Sequence, residues 1–137
     1  MFITQARITD LLNTYIGQAH IYGVTDCNLI LAKYIDTLTD SDYHGKLFEQ
    51  YTDIKSGVKV AKSIGFISAK NVLEKVAEKV EQPINGDILL QEHKFGRSKY
   101  YSISIVWGNK ALVEKDNYYS LVDLEDIEFA EIYRIRK

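Results

Sequence analysis

The sequence predicts an α+β domain, with helices in its first part packed on an antiparallel sheet built from its last. Up to the only proline, Pro83, apolar residues recur mainly at helical spacing; after Gly86 they alternate or run in short blocks between turn signals. Helices followed by strands argue for α+β rather than for βαβ winding. The 137 residues contain no linker rich in Gly, Ser or Pro, so a single domain spanning 1–137 is expected.

Ile8, Leu11, Leu12, Tyr15 and Ile16 fall on one face and predict a helix over 4–16, ended by Gly17. Cys27, Leu31, Tyr34, Ile35 and Leu38 predict a second helix, with the turn at Tyr22-Gly23 before it and Asp26 as its N-cap. The run from Asp40 to Gly45 reads as a polar turn closing that helix. The pattern is then irregular until Val58, Ala61 and Ile64, which are helical in spacing and capped by Gly65. Ser68 caps the next helix, with Ile67 and Val72 placed as a hydrophobic staple and Val72, Leu73, Val76, Ala77 and Val80 as its buried stripe. Pro83 marks the switch from helix to sheet. Strands are expected over 88–91, 100–107, 111–114, 118–122 and 132–135, with turns at Phe95-Gly96, Gly108-Asn109 and Asp116-Asn117.

Cys27, the only cysteine, opens the second helix. The first-turn N–H groups and the helix dipole favour a thiolate over a thiol, which is one way a fold makes a nucleophile. Cys27 also reads as a small buried residue, since free cysteine is among the most buried types. Three histidines could serve chemistry. His93 ends the first predicted strand and is the main candidate base; His20, just ahead of the turn, would have to fold its ring back toward Cys27. His44 lies with Asp40 and Asp42 in the polar turn, which lacks the remaining ligands and the Gly and Glu positions of a calcium loop, so no metal and no cofactor are expected.

The run Tyr22-Gly23-Val24-Thr25-Asp26-Cys27 into an apolar helix, followed by Gly86-Asp87-Ile88, resembles the NlpC-type branch of the papain-like cysteine peptidases. With Gly65-Phe66 and Ile132-Tyr133-Arg134-Ile135, the order of motifs resembles an uncharacterised group of phage and prophage proteins encoded near tail genes. The resemblance implies a papain-like arrangement and places Cys27 at the nucleophile position. It also shows a departure. Active members carry a histidine where this chain has Ser102, at the head of Ser102-Ile103-Ser104-Ile105. A hydroxyl without a basic nitrogen can neither take the thiol proton nor return it to a leaving amine. On this alignment, with the strand faces alternating, Ser102 and Ser104 are expected to face Cys27.

A net charge of −2 argues against wholesale nucleic-acid binding, and one cysteine excludes an intramolecular disulfide and Cys-rich zinc sites. No basic segment precedes an apolar stretch at the N-terminus, and no apolar run reaches the ~20 residues that span a bilayer. Lys94, Arg97 and Lys99 with Tyr100 and Tyr101 form a basic-aromatic hairpin, while Asp123, Glu125, Asp126, Glu128 and Glu131 form an acidic segment. Opposite patches on a near-neutral domain suit protein contacts.

Three functions follow from these readings. The first is a non-catalytic structural or interaction protein of a phage virion, associated with the tail, contacting other phage structural proteins as repeated copies in a symmetric assembly. The second is a thiol amidase or endopeptidase acting on peptidoglycan, with Cys27 as nucleophile, His93 or His20 as base, and helix-start N–H groups holding the oxyanion. The third is a phage protein that binds a host target. The missing imidazole weighs toward the first, a protein made in the host cytoplasm and carried in the particle.

Overall fold

The computed structural model describes residues 2–39, 41–66 and 68–135. Among these residues five α-helices precede a six-stranded antiparallel sheet, as the change of periodicity predicts. Helix α1 (Phe2–Tyr15) buries Ile8, Leu11, Leu12 and Tyr15 and packs on α2 (Cys27–Leu38), whose Leu29 to Ala32, Tyr34 and Ile35 are buried. Each large apolar side chain so buried contributes about 1.5–3 kcal/mol, and this helix pair anchors the helical layer.

Helix α3 (Tyr43–Leu47) lies where a plain polar turn was expected. The Asp36 carboxylate accounts for it: Oδ1 accepts from the N–H of Tyr43 at 3.0 Å and Oδ2 from that of His44 at 2.8 Å, satisfying donors at a new helix start. Asp40, read as part of that turn, lies outside the described residues. Helix α4 (Ile54–Ser63) turns Ala61 and Gly57 inward and leaves Val58 exposed. Helix α5 (Ala69–Val76) is capped by Ser68 Oγ, which accepts from the Asn71 N–H at 3.0 Å, as its sequence predicts. The staple residue Ile67 lies outside the described residues.

The predicted stripe of α5 runs too far. The chain becomes extended at Ala77, and Ala77–Val80 is strand β1, paired with the last strand from Ala77↔Ile135 to Val80↔Ile132. Val76, Ala77 and Val80 fit a helix in spacing, but the outer edge of the last strand carries backbone groups that a helix cannot satisfy, and the ladder wins. Ala77 then faces the helices, while Val80 packs on the opposite side of the sheet. The switch from helix to sheet is therefore at Ala77, ahead of Pro83.

The remaining strands are β2 (Ile88–Phe95), β3 (Ser98–Trp107), β4 (Lys110–Lys115), β5 (Tyr118–Asp123) and β6 (Glu131–Ile135). Their order across the sheet is β1-β6-β2-β3-β4-β5. Asp116 and Asn117 both take positive φ, the two-residue turn whose twist suits a hairpin. The helix-facing side carries Ile88, Leu90, Ile103, Ile105 and Tyr133 in the main core. The other side carries a smaller cluster of Leu89, Val106, Ala111 and Ile132 under Leu124 and Ile127. Alternation along β2 and β3 thus decides which side chains can meet α2.

Candidate functional site

Asp26 is extended (φ −80°, ψ 170°) and 5% exposed at the start of α2. Its Oδ1 accepts from the Leu29 N–H at 3.0 Å; its Oδ2 accepts from the Gly23 N–H at 2.8 Å and from the Tyr51 hydroxyl at 2.5 Å. A buried carboxylate needs such partners, and here dipoles alone supply them. Gly23 sits at φ +83°, and a Cβ there would land on the Tyr51 carbonyl oxygen, so the turn requires glycine. Proximity to Asp26 and burial together push the Tyr51 phenol strongly upward, burial first.

Cys27 follows, half-buried as a residue, with its sulfur against the backbone of β3. The Ile103 N–H donates to Sγ at 2.7 Å, and the thiol reaches the Ile103 carbonyl at 3.6 Å. Strand β4 pairs with β3 only at Val106 and Trp107, so at Ile103 the sulfur stands where a neighbouring strand would be. Burial pushes the thiol up from 9.0 to about 12; the Ile103 N–H pulls it down in part, and Asp26 raises it further. These causes work against the dipole-stabilised thiolate that a helix start favours. Desolvation and an adjacent carboxylate oppose the first-turn N–H groups and favour the neutral thiol.

Among the described residues no imidazole is hydrogen-bonded to it. His20 packs its ring edge-on to Tyr22 at 4.7 Å and near Tyr119 at 6.1 Å. His93 lies on the sheet side away from the helices, its Nε2 2.7 Å from Ser102 Oγ and its ring stacked on Tyr100 at 4.7 Å. Ser102 and Ser104 both donate to Gln91 Oε1, at 3.0 and 3.1 Å. The two serines thus face away from Cys27, contrary to the expectation from the motif alignment, because Ile103 and Ile105 take the helix-facing positions. His93 and Ser102 meet each other, and neither is a hydrogen-bond partner of the Cys27 thiol among the described residues. No group of three or more His, Cys, Asp or Glu side chains is placed to hold a metal among those residues, His44 and Asp42 included.

The spacing of the sequence also leaves unseen how Gly86-Asp87 and Arg134 come together. Asp87 is 1% exposed and paired by two hydrogen bonds from Arg134: Nε to Oδ1 and Nη2 to Oδ2, each at 2.9 Å. Asp87 Oδ2 also accepts the Ile84 N–H at 2.9 Å, and Tyr34 donates to the Gly86 carbonyl at 2.5 Å. A cleft of about 190 Å³ opens beside this pair, lined by Ile8, Tyr34, Ile84 and Arg134 among others. An aspartate directly before the buried run Ile88-Leu89-Leu90 is the one sequence signal for a hidden cation partner. Tyr51 carried no such signal.

The fold and site define an α+β domain whose helices cover one side of an antiparallel sheet and whose second helix starts on a buried aspartate and a cysteine packed on the sheet. The chain belongs to the DUF6950 family, described as a domain of unknown function, whose profile matches residues 3–135. Comparison with curated proteins and with solved structures found no match.

Proposed function

We propose that this domain is a non-catalytic interaction protein of a phage particle, associated with the tail, built on a papain-like, NlpC-type arrangement whose cysteine-peptidase site is degenerate. One observation carries the non-catalytic reading: the Cys27 sulfur is packed against the Ile103 backbone, where burial favours the neutral thiol, and among the described residues no imidazole is bonded to it. Acyl transfer by cysteine needs a thiolate and a group to protonate the leaving amine. Cys27 has neither. It instead occupies the edge of β3 and ties α2 to the sheet, a structural use of an ancestral nucleophile position.

The phage setting rests on the resemblance of the four motifs to tail-cluster proteins, and the opposite-signed surface patches agree with contacts to other structural proteins in repeated copies. Among the described residues no helix is long and apolar enough to cross a membrane. The test is recovery of the protein with purified virions, alongside infectivity of a Cys27→Ala phage. Stoichiometric recovery with retained infectivity supports the proposal. Absence from particles removes the particle role, and loss of lysis in a folded Cys27→Ala protein restores the peptidoglycan hydrolase.

A further inference from the structure

Strands β2 and β3 run on past their neighbours. β6 pairs with β2 only from Ile88 to Leu90, and β4 pairs with β3 only at Val106 and Trp107. The paired residues from Gln91↔Ser102 to Phe95↔Ser98 therefore form a two-stranded arm beyond the sheet. Hairpins without further strands are marginal in water. This one is held on one face by Gln91, Ser102 and His93 with its stacked Tyr100, and on the other by Lys70 of α5, whose ammonium lies 5.9 Å from the Tyr101 ring centre.

The phase of the ladder leaves one edge of the arm open. Ile103 turns both its N–H and its C=O away from β2, to the Cys27 sulfur. In an antiparallel strand alternate residues share that direction, so Lys99 and Tyr101 present backbone donors and acceptors outward. Among the described residues these have no backbone partner on that side.

We propose that this edge of β3 takes an added strand from another protein, an extended acidic segment that pairs with Lys99 and Tyr101. Main-chain pairing supplies affinity, and charge supplies selection. The arm carries exposed Lys94, Arg97 and Lys99 against the single carboxylate of Glu92, which lies 3.7 Å from Lys99. A second copy docking edge to edge would bring the same cations together, which disfavours it. The outer edge of β2 is the poorer choice, because the chain enters β6 beside it through Glu128 and Glu131. Cys27 covers the next outward position of this edge, at Ile103, and pairing at Lys99 and Tyr101 does not depend on the thiol's reactivity.

The test is amide hydrogen exchange in the full chain, with a short blocked peptide of alternating glutamate and valine as probe. Its lysine-valine counterpart and a short single-stranded DNA are the comparisons. The acidic peptide slows exchange at Lys99 and Tyr101 by about tenfold or more, the scale of a populated added strand. Tyr101→Pro removes an outward N–H without breaking the β2 ladder and abolishes protection at Lys99. The combined Lys94→Glu, Arg97→Glu, Lys99→Glu variant keeps every backbone donor and loses protection through charge alone, so the result survives a failure of the proline variant to fold. No protection by the acidic peptide, equal protection by the lysine peptide, or protection by DNA alone each overturns the proposal.

Discussion

Asp26 and Asp87 are both buried aspartates beside a glycine turn, yet the chain satisfies them in opposite ways. Asp87 meets a cation, with two parallel hydrogen bonds from Arg134. Asp26 meets only dipoles: two backbone N–H groups and the Tyr51 hydroxyl. Even paired, Asp87 adds to burial in pushing the Tyr34 phenol upward, but the field of the dipole-held Asp26 reaches more groups. Cys27, Tyr51, Tyr119 and Tyr15 are all pushed upward, each with burial first and Asp26 among the further causes. The same residue that starts α2 thus helps to keep its cysteine protonated.

The contrast can be broken from either end. Arg134→Ala leaves Asp87 buried and unpaired and should cost about 2–3 kcal/mol in urea unfolding, below the full value for a buried pair because the guanidinium is partly exposed. Replacing both partners, Asp87→Leu with Arg134→Met, should restore most of that loss. Tyr51→Phe removes one of three partners of Asp26 and should cost about 1–3 kcal/mol, since the carboxylate keeps two donors.

Smaller and diagnostic is the pH dependence of Cys27. Its folded titration lies above its unfolded one, so the neutral thiol contributes stability that is complete below about 9 and is lost as pH rises through about 12. Cys27→Ala should therefore flatten the fall of the urea midpoint across that alkaline window and leave its shape near neutrality unchanged. Smallest of all, His93→Ala should change stability by under about 1 kcal/mol, as a half-buried site on the arm, and leave the thiol untouched. A large effect of His93→Ala on the thiol would place the two in one site and undo the comparison.

What the sequence discloses divides along the same line. Local signals were legible: Asp26 and Ser68 as caps, the glycine after α1, the Asp116-Asn117 turn and five of the six strands follow from residues within a few positions of one another. β1 was hidden because Val76, Ala77 and Val80 satisfy helical spacing, and only the distant β6 edge makes them a strand. The candidate site was half legible. The cysteine at a helix start was plain, but its protonation state depends on Ile103, 76 residues away, and on an aspartate held by Tyr51 across a turn. The faces of Ser102 and Ser104 were misjudged because alternation gives two faces without saying which one meets the helices.

Whether Cys27 is a thiol or a thiolate near neutrality is read directly by its alkylation rate against pH on the folded protein. A buried thiol against Ile103 should alkylate slowly, with no inflection below the free-thiol value of ~8.5 and no response to His93→Ala. An inflection well below that value, lost in His93→Ala, would contradict it and make Cys27 a working nucleophile.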